Sequence, residues 1–297
     1  MVLLVVLMVI FPYNIQAKIG TFWHVTDLHY DVNYTTSGSR DKMCWNQATR
    51  SEDGAGSSSP GQFGDYECDA PLSLVMSAVQ AMAKLHPKPD FVLWTGDDTA
   101  HVADSYFNTN KVVDIVGTLT SILNQSFPTT PFFPILGNHD YYPKNQFPLG
   151  KSDLQTQVAD LWRSWLTKIP YTSFQTDGRY WADVQGTNVT IVALNTLLWY
   201  KSNDNTAFLP DSDPNGADPG KHFAWADEVL RKLSARKRRV YIIGHIPPGK
   251  FERYQQTKEG FHWFQPRYND RFIQMIQNHS DVIEAQFFAH HHTDSFR

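Results

Sequence analysis

Apolar residues along this chain fall alternately into short continuous runs and into stripes spaced three or four residues apart. The runs Ile19–Thr26, Phe91–Thr95, Phe132–Leu136, Val240–Ile243 and Val282–Phe288 predict strands. Tyr180–Val184 and Val189–Leu194 flank Gly186 and predict a hairpin. Between them, Pro71 to Leu85 carries Leu72, Val75, Met76, Val79 and Met82, a helical stripe with Pro at its start. Val112, Val113, Val116, Leu119 and Leu123 mark a second helix, and Leu154, Val158, Leu161, Trp162 and Trp165 a third. Phe223–Leu233 predicts a fourth, and Phe272–Ile276 part of a fifth. Such alternation predicts an α/β domain with helices packed outside the sheets. Two polar stretches interrupt it. Asn33–Asp69, with the run Gly54–Gly61 at its heart, is the least structured, and Asn203–Gly220 is a second long loop. There is no internal repeat and no long linker.

The opening of the chain has a different pattern. Val2 to Phe11 is an unbroken apolar run, followed by Ile15-Gln16-Ala17. A bilayer span needs about 20 apolar residues. The run instead fits the core of a secretory signal peptide over residues 1–17, with Ala17 last before cleavage, although no Lys or Arg stands near Met1. A buried N-terminal strand or helix is the alternative. No transmembrane segment is expected, and one catalytic domain over 18–297 follows. The two cysteines, Cys44 and Cys68, lie in the first polar stretch and would pair in an oxidising compartment. Closing that loop is worth about 3.5 kcal/mol in the chain-entropy model. Sequons at Asn33, Asn124, Asn188 and Asn278 are candidate glycosylation sites. Secretion is therefore expected, with lysosomal residence left open.

With 297 residues, 41% hydrophobic and 19% charged, the chain can bury a real core. A formal charge of −4 gives no basis for binding a nucleic acid polymer. The basic run Arg236-Lys237-Arg238-Arg239 follows a predicted helix and reads as a solvated end complementing its dipole.

Candidate chemistry lies where the predicted strands end. Asp27-Leu28-His29 follows the first strand, Gly96-Asp97 the second, and Gly137-Asn138-His139-Asp140 the third. Gly244-His245 and His290-His291-His292 follow the last two. In open α/β sheets, ligand sites collect at the carboxyl ends of strands. Five strand ends that each deliver metal-capable side chains are more than packing requires. A dinuclear site needs about three or four N/O ligands per ion and a carboxylate able to bridge ions about 3.5–4 Å apart.

These clusters resemble the motif series of the calcineurin-like metallophosphoesterases, from about Thr21 to the end of the chain. Within that superfamily the wording is similar to the acid sphingomyelinase-like phosphodiesterases. The stretches that carry this are Phe22-Trp23-His24-Val25-Thr26-Asp27-Leu28-His29-Tyr30, Phe63-Gly64-Asp65-Tyr66-Glu67-Cys68-Asp69 and His290 to Arg297. The resemblance implies a sandwich of two mixed β-sheets flanked by helices, and two zinc ions per chain. Asp27, His29 and His292 would hold one ion and Asn138, His245 and His290 the other, with Asp97 bridging. His139 would act as general acid, His101 would contact the substrate phosphate, and His291 would point away. The implied reaction is hydrolysis of a phosphodiester or phosphoanhydride by metal-activated hydroxide. Nucleotide- or phosphocholine-type small molecules are the expected substrates, a lipid phosphodiester is possible in principle, and the chain is expected to be a monomer. In a related purple acid phosphatase a metal-binding Tyr stands three residues after the bridging Asp; here that residue is Ala100, which favours zinc over redox iron.

The pattern departs from the family at two places. Ala289 replaces the usual Gly before His290, which would strain the backbone if that position needs positive φ. The chain also stops at Arg297, where family members continue through further strands, so a truncated domain with an unpaired sheet edge is expected. Two alternatives stay open: a sphingomyelinase, disfavoured because no cysteine-rich saposin-like module precedes the motifs, and a catalytically impaired secreted glycoprotein.

Overall fold

The computed structural model describes residues 20–46, 59–251 and 261–293. The expected signal segment 1–17 and most of Gly54–Gly61 lie outside the described residues. In chain order the strands are β1 (Phe22–Val25), β2 (Tyr34–Ser39), β3 (Phe91–Trp94), β4 (Phe132–Pro134), β5 (Tyr180–Asp183), β6 (Val189–Ala193), β7 (Arg239–Ile243), β8 (Lys250–Phe251), β9 (Phe261–His262) and β10 (Ile283–Phe287). The helices are α1 (Leu72–Leu85), α2 (Thr109–Ser126), α3 (Asp153–Leu161), α4 (Lys168–Asp177), α5 (Asp204–Ala207), α6 (Pro214–Ala217), α7 (His222–Ala235) and α8 (Pro266–Asn278).

Two sheets carry the fold. The first is parallel, in the order β1-β3-β4, with Val25 opposite Trp94 and Trp94 opposite Pro134. The second runs β10-β7-β6-β5, parallel except for the β5/β6 hairpin that Gly186 turns. Aromatic rings join the two: Phe22 stacks on Phe91 at 4.8 Å and meets Phe287 edge-on at 5.3 Å. Tyr180 Oη also donates to the Pro134 carbonyl at 2.9 Å. Because β3 reads Phe-Val-Leu-Trp and is buried throughout, its second face needs its own cover. On that side Trp94 meets Trp162 at 5.4 Å and Phe132 stacks on Trp165 at 4.3 Å. The apolar stripe of α2 is buried there too, behind an Asn108 cap that accepts from the Lys111 N–H. On the far side of the second sheet, Phe223 of α7 stacks on Trp199 at 4.3 Å. The expected sheet sandwich with helices outside is therefore what these residues build.

The polar stretches are more ordered than their composition suggests. β2 lies inside Asn33–Asp69, bridged to Trp45 and closed by a Cys44–Cys68 disulfide with Cα atoms 5.9 Å apart. Asn203–Gly220 holds α5 and α6, whose first turns are capped by the Asn203 and Asp213 side chains. α4 has no clear apolar stripe, since Ile169 is exposed and only Pro170 and Phe174 are buried. Arg238 of the basic run is not solvated: it donates to the Thr187 and Val189 carbonyls and pairs with Asp183. Asn33, Asn124, Asn188 and Asn278 are all exposed. β10 is an edge strand among the described residues.

Candidate metal centre

All five strand ends open on the same side of the sandwich. Backbone pairing continues past β1 and β3, where the Asp27 N–H donates to the Gly96 carbonyl at 2.8 Å and the His29 N–H to the Asp97 carbonyl at 3.0 Å. A Cβ on Gly96, which has φ +85°, would lie 2.1 Å from the Gly137 nitrogen, so the two turns touch backbone to backbone. Across the sandwich, the Ala289 N–H donates to the His245 carbonyl at 2.8 Å and His245 Nδ1 to the Thr95 carbonyl at 2.7 Å. Asp27, His29, Asp97 and Asn138 thus come from the first sheet, and His245, His290 and His292 from the second.

The backbone is strained at these positions. Asp27, His29, Asp97, His290 and His292 all have positive φ, between 39° and 75°. Non-glycine residues adopt that region at a cost of order 1–3 kcal/mol each and concentrate at functional sites. Ala289 is not among the positive-φ residues. The turn is made by His290 itself, at φ 75°, so Ala in place of Gly does not strain the backbone there.

The side chains converge in two groups. Asp27, His29 and His292 form one: His292 Nε2 lies 3.3 Å from Asp27 Oδ1 and 3.0 Å from His29 Nε2. Asp97, His245 and His290 form the other, with His245 Nε2 3.0 Å from both Asp97 Oδ2 and Asn138 Oδ1. Asp97 Oδ2 is also 3.8 Å from His29 Nε2, so a single carboxylate oxygen faces both groups. Its other oxygen, Oδ1, accepts the His139 N–H at 2.8 Å. The adjacent Asp98 turns away and accepts from Trp94 Nε1 at 2.9 Å.

These residues suit a metal such as zinc. A carbonyl can only accept, so the Nδ1 contacts of His29 to Thr99 (2.8 Å) and His245 to Thr95 place the proton of each neutral ring on Nδ1 and leave its Nε2 a lone pair. His290 Nε2 is buried with no hydrogen-bond partner among the described residues. Neutral imidazoles, carboxylates and an amide oxygen are donors that zinc accepts.

Without an ion, burial and neighbouring charges compete in setting the charge of each group. Burial holds His29 at about 4 and His290 at about 3, against the upward pull of Asp97. Burial also opposes charge on Asp97, but His245, His139 and His29 hold its carboxyl well below the usual range. His245 resists its own burial and rises to about 9, because Asp97 attracts its charge and bonds to it.

His139 and His101 form a third metal-capable group with His29, their ring nitrogens within 4.8 Å of one another. The His101 ring lies 3.8 Å from that of His29 and 4.5 Å from that of His139. His139 Nδ1 is buried and without a partner among the described residues, and burial lowers the ring to about 3 despite Asp97. His291 belongs to none of the three metal-capable groups; its Nε2 accepts a hydrogen bond from Trp263 Nε1.

Two further residues shape the site, and neither was assigned a role from sequence. Asp140 accepts the backbone N–H groups of Asp97 (2.7 Å), Asp98 (2.6 Å) and Gly137 (2.8 Å), holding two of the turns together. Asp69 accepts the His101 N–H at 2.5 Å and His101 Nδ1 at 2.9 Å. The only sequence signal was their presence inside quoted motifs, because both act on backbone or through a distant loop.

The family profile described as calcineurin-like phosphoesterase matches residues 20–294. The chain is 42% identical over 283 residues to acid sphingomyelinase-like phosphodiesterase 3b of Mus musculus, covering 95% of this chain and 59% of that protein. Over 284 residues it is 36% identical to sphingomyelinase phosphodiesterase C of Dictyostelium discoideum, covering 96% and 60%. Over 283 residues it is 36% identical to cyclic GMP-AMP phosphodiesterase SMPDL3A of Homo sapiens, covering 95% and 59%. It spans about three-fifths of the length of the curated relatives it matches.

Proposed function

This chain belongs to the calcineurin-like phosphoesterase family, and from that membership and the convergent ligand set we propose that it is a zinc-dependent phosphodiesterase acting on small phosphodiesters or phosphoanhydrides. The observation that supports this most is Asp97 Oδ2, 3.0 Å from His245 Nε2 and 3.8 Å from His29 Nε2, a single carboxylate oxygen that faces both ligand groups. Asp27, His29 and His292 would hold one, Asn138, His245 and His290 the other. Bound there, zinc supplies positive charge against the phosphate oxygens and lowers the pKa of water to near neutrality.

The remaining work falls to the chain. Thr99 and Thr95 orient the His29 and His245 rings through their carbonyls. His101, fixed by Asp69, stands beside His29 to contact a substrate phosphate oxygen. His139 passes a ring proton to the departing oxygen. Burial lowers the His139 ring to about 3 in the metal-free chain, and the negative charge of a bound diester acts in the opposite direction. The relatives named as a cyclic GMP-AMP phosphodiesterase and as a sphingomyelinase phosphodiesterase support the nucleotide and phosphocholine classes. The apolar run Val2–Phe11 and the disulfide support passage through the secretory route.

Zinc analysis of the intact chain, together with hydrolysis of bis-p-nitrophenyl phosphate before and after chelation, tests this reading. Two zinc ions per chain and turnover that chelation abolishes and zinc restores are expected. A chain that binds no zinc, or whose turnover ignores chelation, overturns it.

A further inference from the structure

Residues 200–201 run antiparallel beside 263–264: Tyr200 bridges Phe264, and the Lys201 N–H donates to the Trp263 carbonyl at 3.0 Å. The Trp263 ring stands edge-on to His290, 4.3 Å between centroids at 85°, and Phe261 packs edge-on to Trp263 at 4.6 Å. Over this shelf lies the Lys201 ammonium, 2.9 Å from the Phe261 ring centroid and 5.8 Å from that of Trp263. A cation therefore sits one aromatic ring away from the candidate ligand His290, on a side chain that is neither buried nor fully exposed.

Aromatic faces offset only part of a lysine's charge. Among the described residues no carboxylate pairs with Lys201. Burial lowers its pKa. Shelves of this kind also receive quaternary ammonium groups. This one already carries a fixed positive charge, which repels a second cation and attracts an anion.

We infer that Lys201 binds a second anionic group of the substrate, beyond the scissile phosphate, as in a nucleoside triphosphate, and so favours such substrates over phosphocholine esters. This rests on the hydrolytic reading above and decides between its two substrate classes. Trp263 is the positioning residue, holding Lys201 through its carbonyl and His290 through its ring.

The test compares intact wild type, Lys201→Met and Lys201→Arg on three substrates: ATP, p-nitrophenyl phosphocholine and bis-p-nitrophenyl phosphate, the last with no second anion. A hydrogen bond to a charged group is worth enough for a change on the order of tenfold or more. Lys201→Met should raise KM for ATP by that factor and lower the ratio of its kcat/KM to that for bis-p-nitrophenyl phosphate, while Lys201→Arg restores most of it. Equal loss on ATP and bis-p-nitrophenyl phosphate, or loss confined to p-nitrophenyl phosphocholine, overturns the inference. If wild type cleaves none of the three, the hydrolytic reading fails instead. Lys201 is then judged by calorimetry with α,β-methylene ATP, where equal affinity of wild type and Lys201→Met overturns its role.

Discussion

The two oxygens of Asp97 have separate duties. Oδ1 fixes the His139 backbone, while Oδ2 faces His245 and His29 from opposite groups. Asn in its place keeps the shape and one acceptor but removes the negative charge between two cations. Each terminal ligand serves one group only. After dialysis, Asp97→Asn should therefore retain fewer than one zinc per chain, and His29→Ala about one. If Asp97→Asn keeps both ions while His29→Ala or His245→Ala loses one, Asp97 is not the bridge. His139 makes a different prediction, since the proposed role is that of an acid and not of a ligand. His139→Ala should keep both zinc ions and lose about 10²- to 10⁴-fold in turnover with a poor leaving group. The loss should shrink for p-nitrophenolate, which departs without a proton. Equal losses for the two leaving groups would rule out the acid role.

At the level of elements, the segment that composition marks as least structured holds a residue of the site in place. The disulfide anchors Cys68 next to Asp69, and Asp69 holds both the backbone and the ring of His101. The cysteines are 24 residues apart, so losing the bridge should cost about 3.5 kcal/mol in the chain-entropy model. Denaturant titration of the Cys44→Ser/Cys68→Ser chain measures that cost. The same chain should bind zinc normally but show a raised KM, because His101 loses its support while no ligand is touched. Unchanged stability and KM would mean that the segment is held by its other contacts, such as Trp45 Nε1 on Asp31. The strands show a related division. Their apolar runs predict β1, β3, β4, β7 and β10 within a few residues, whereas α4 and β2 escape notice because neither has a periodic apolar face.

For the whole molecule, the candidate metal site is a seam between sheets. Four of the proposed ligands leave the first sheet and three the second, so an ion bound there would tie the two together only in the folded state. Mass action then makes zinc a stabiliser: an ion at 100 times its Kd adds about 2.7 kcal/mol. Chelation should lower the Tm of wild type by several degrees and leave that of Asp97→Asn almost unmoved. A wild-type Tm indifferent to chelation would mean that the site does not load.

The metal-free chain should also respond to pH. His29, His139 and His290 are depressed to about 4, 3 and 3, below the 6.5 of a free imidazole. The unfolded chain therefore binds more protons below pH 6.5, and stability falls as pH drops from there towards 3–4. His245, raised to about 9, acts oppositely: its contribution is complete below 6.5 and lost as pH rises through 9. Urea midpoints of chelated protein should therefore peak near pH 6.5. A midpoint that keeps rising from pH 7 to pH 9 would contradict this assignment of charge.

The order of motifs, the alternation of strands and helices, and the chemistry of each ligand were determined by the sequence alone, because strand ends, glycine turns and donor atoms are local properties of a few adjacent residues. Tertiary structure decided the rest. It brought His245 Nε2 within 3.0 Å of Asn138 Oδ1 across 107 positions of chain, and placed positive φ on His290 rather than on Ala289. It also gave Asp140 three backbone N–H groups, Asp69 a histidine and Lys201 an aromatic shelf. Those roles depend on which backbone atoms and rings become neighbours when two sheets pack, and no pattern of residue types along a chain specifies that.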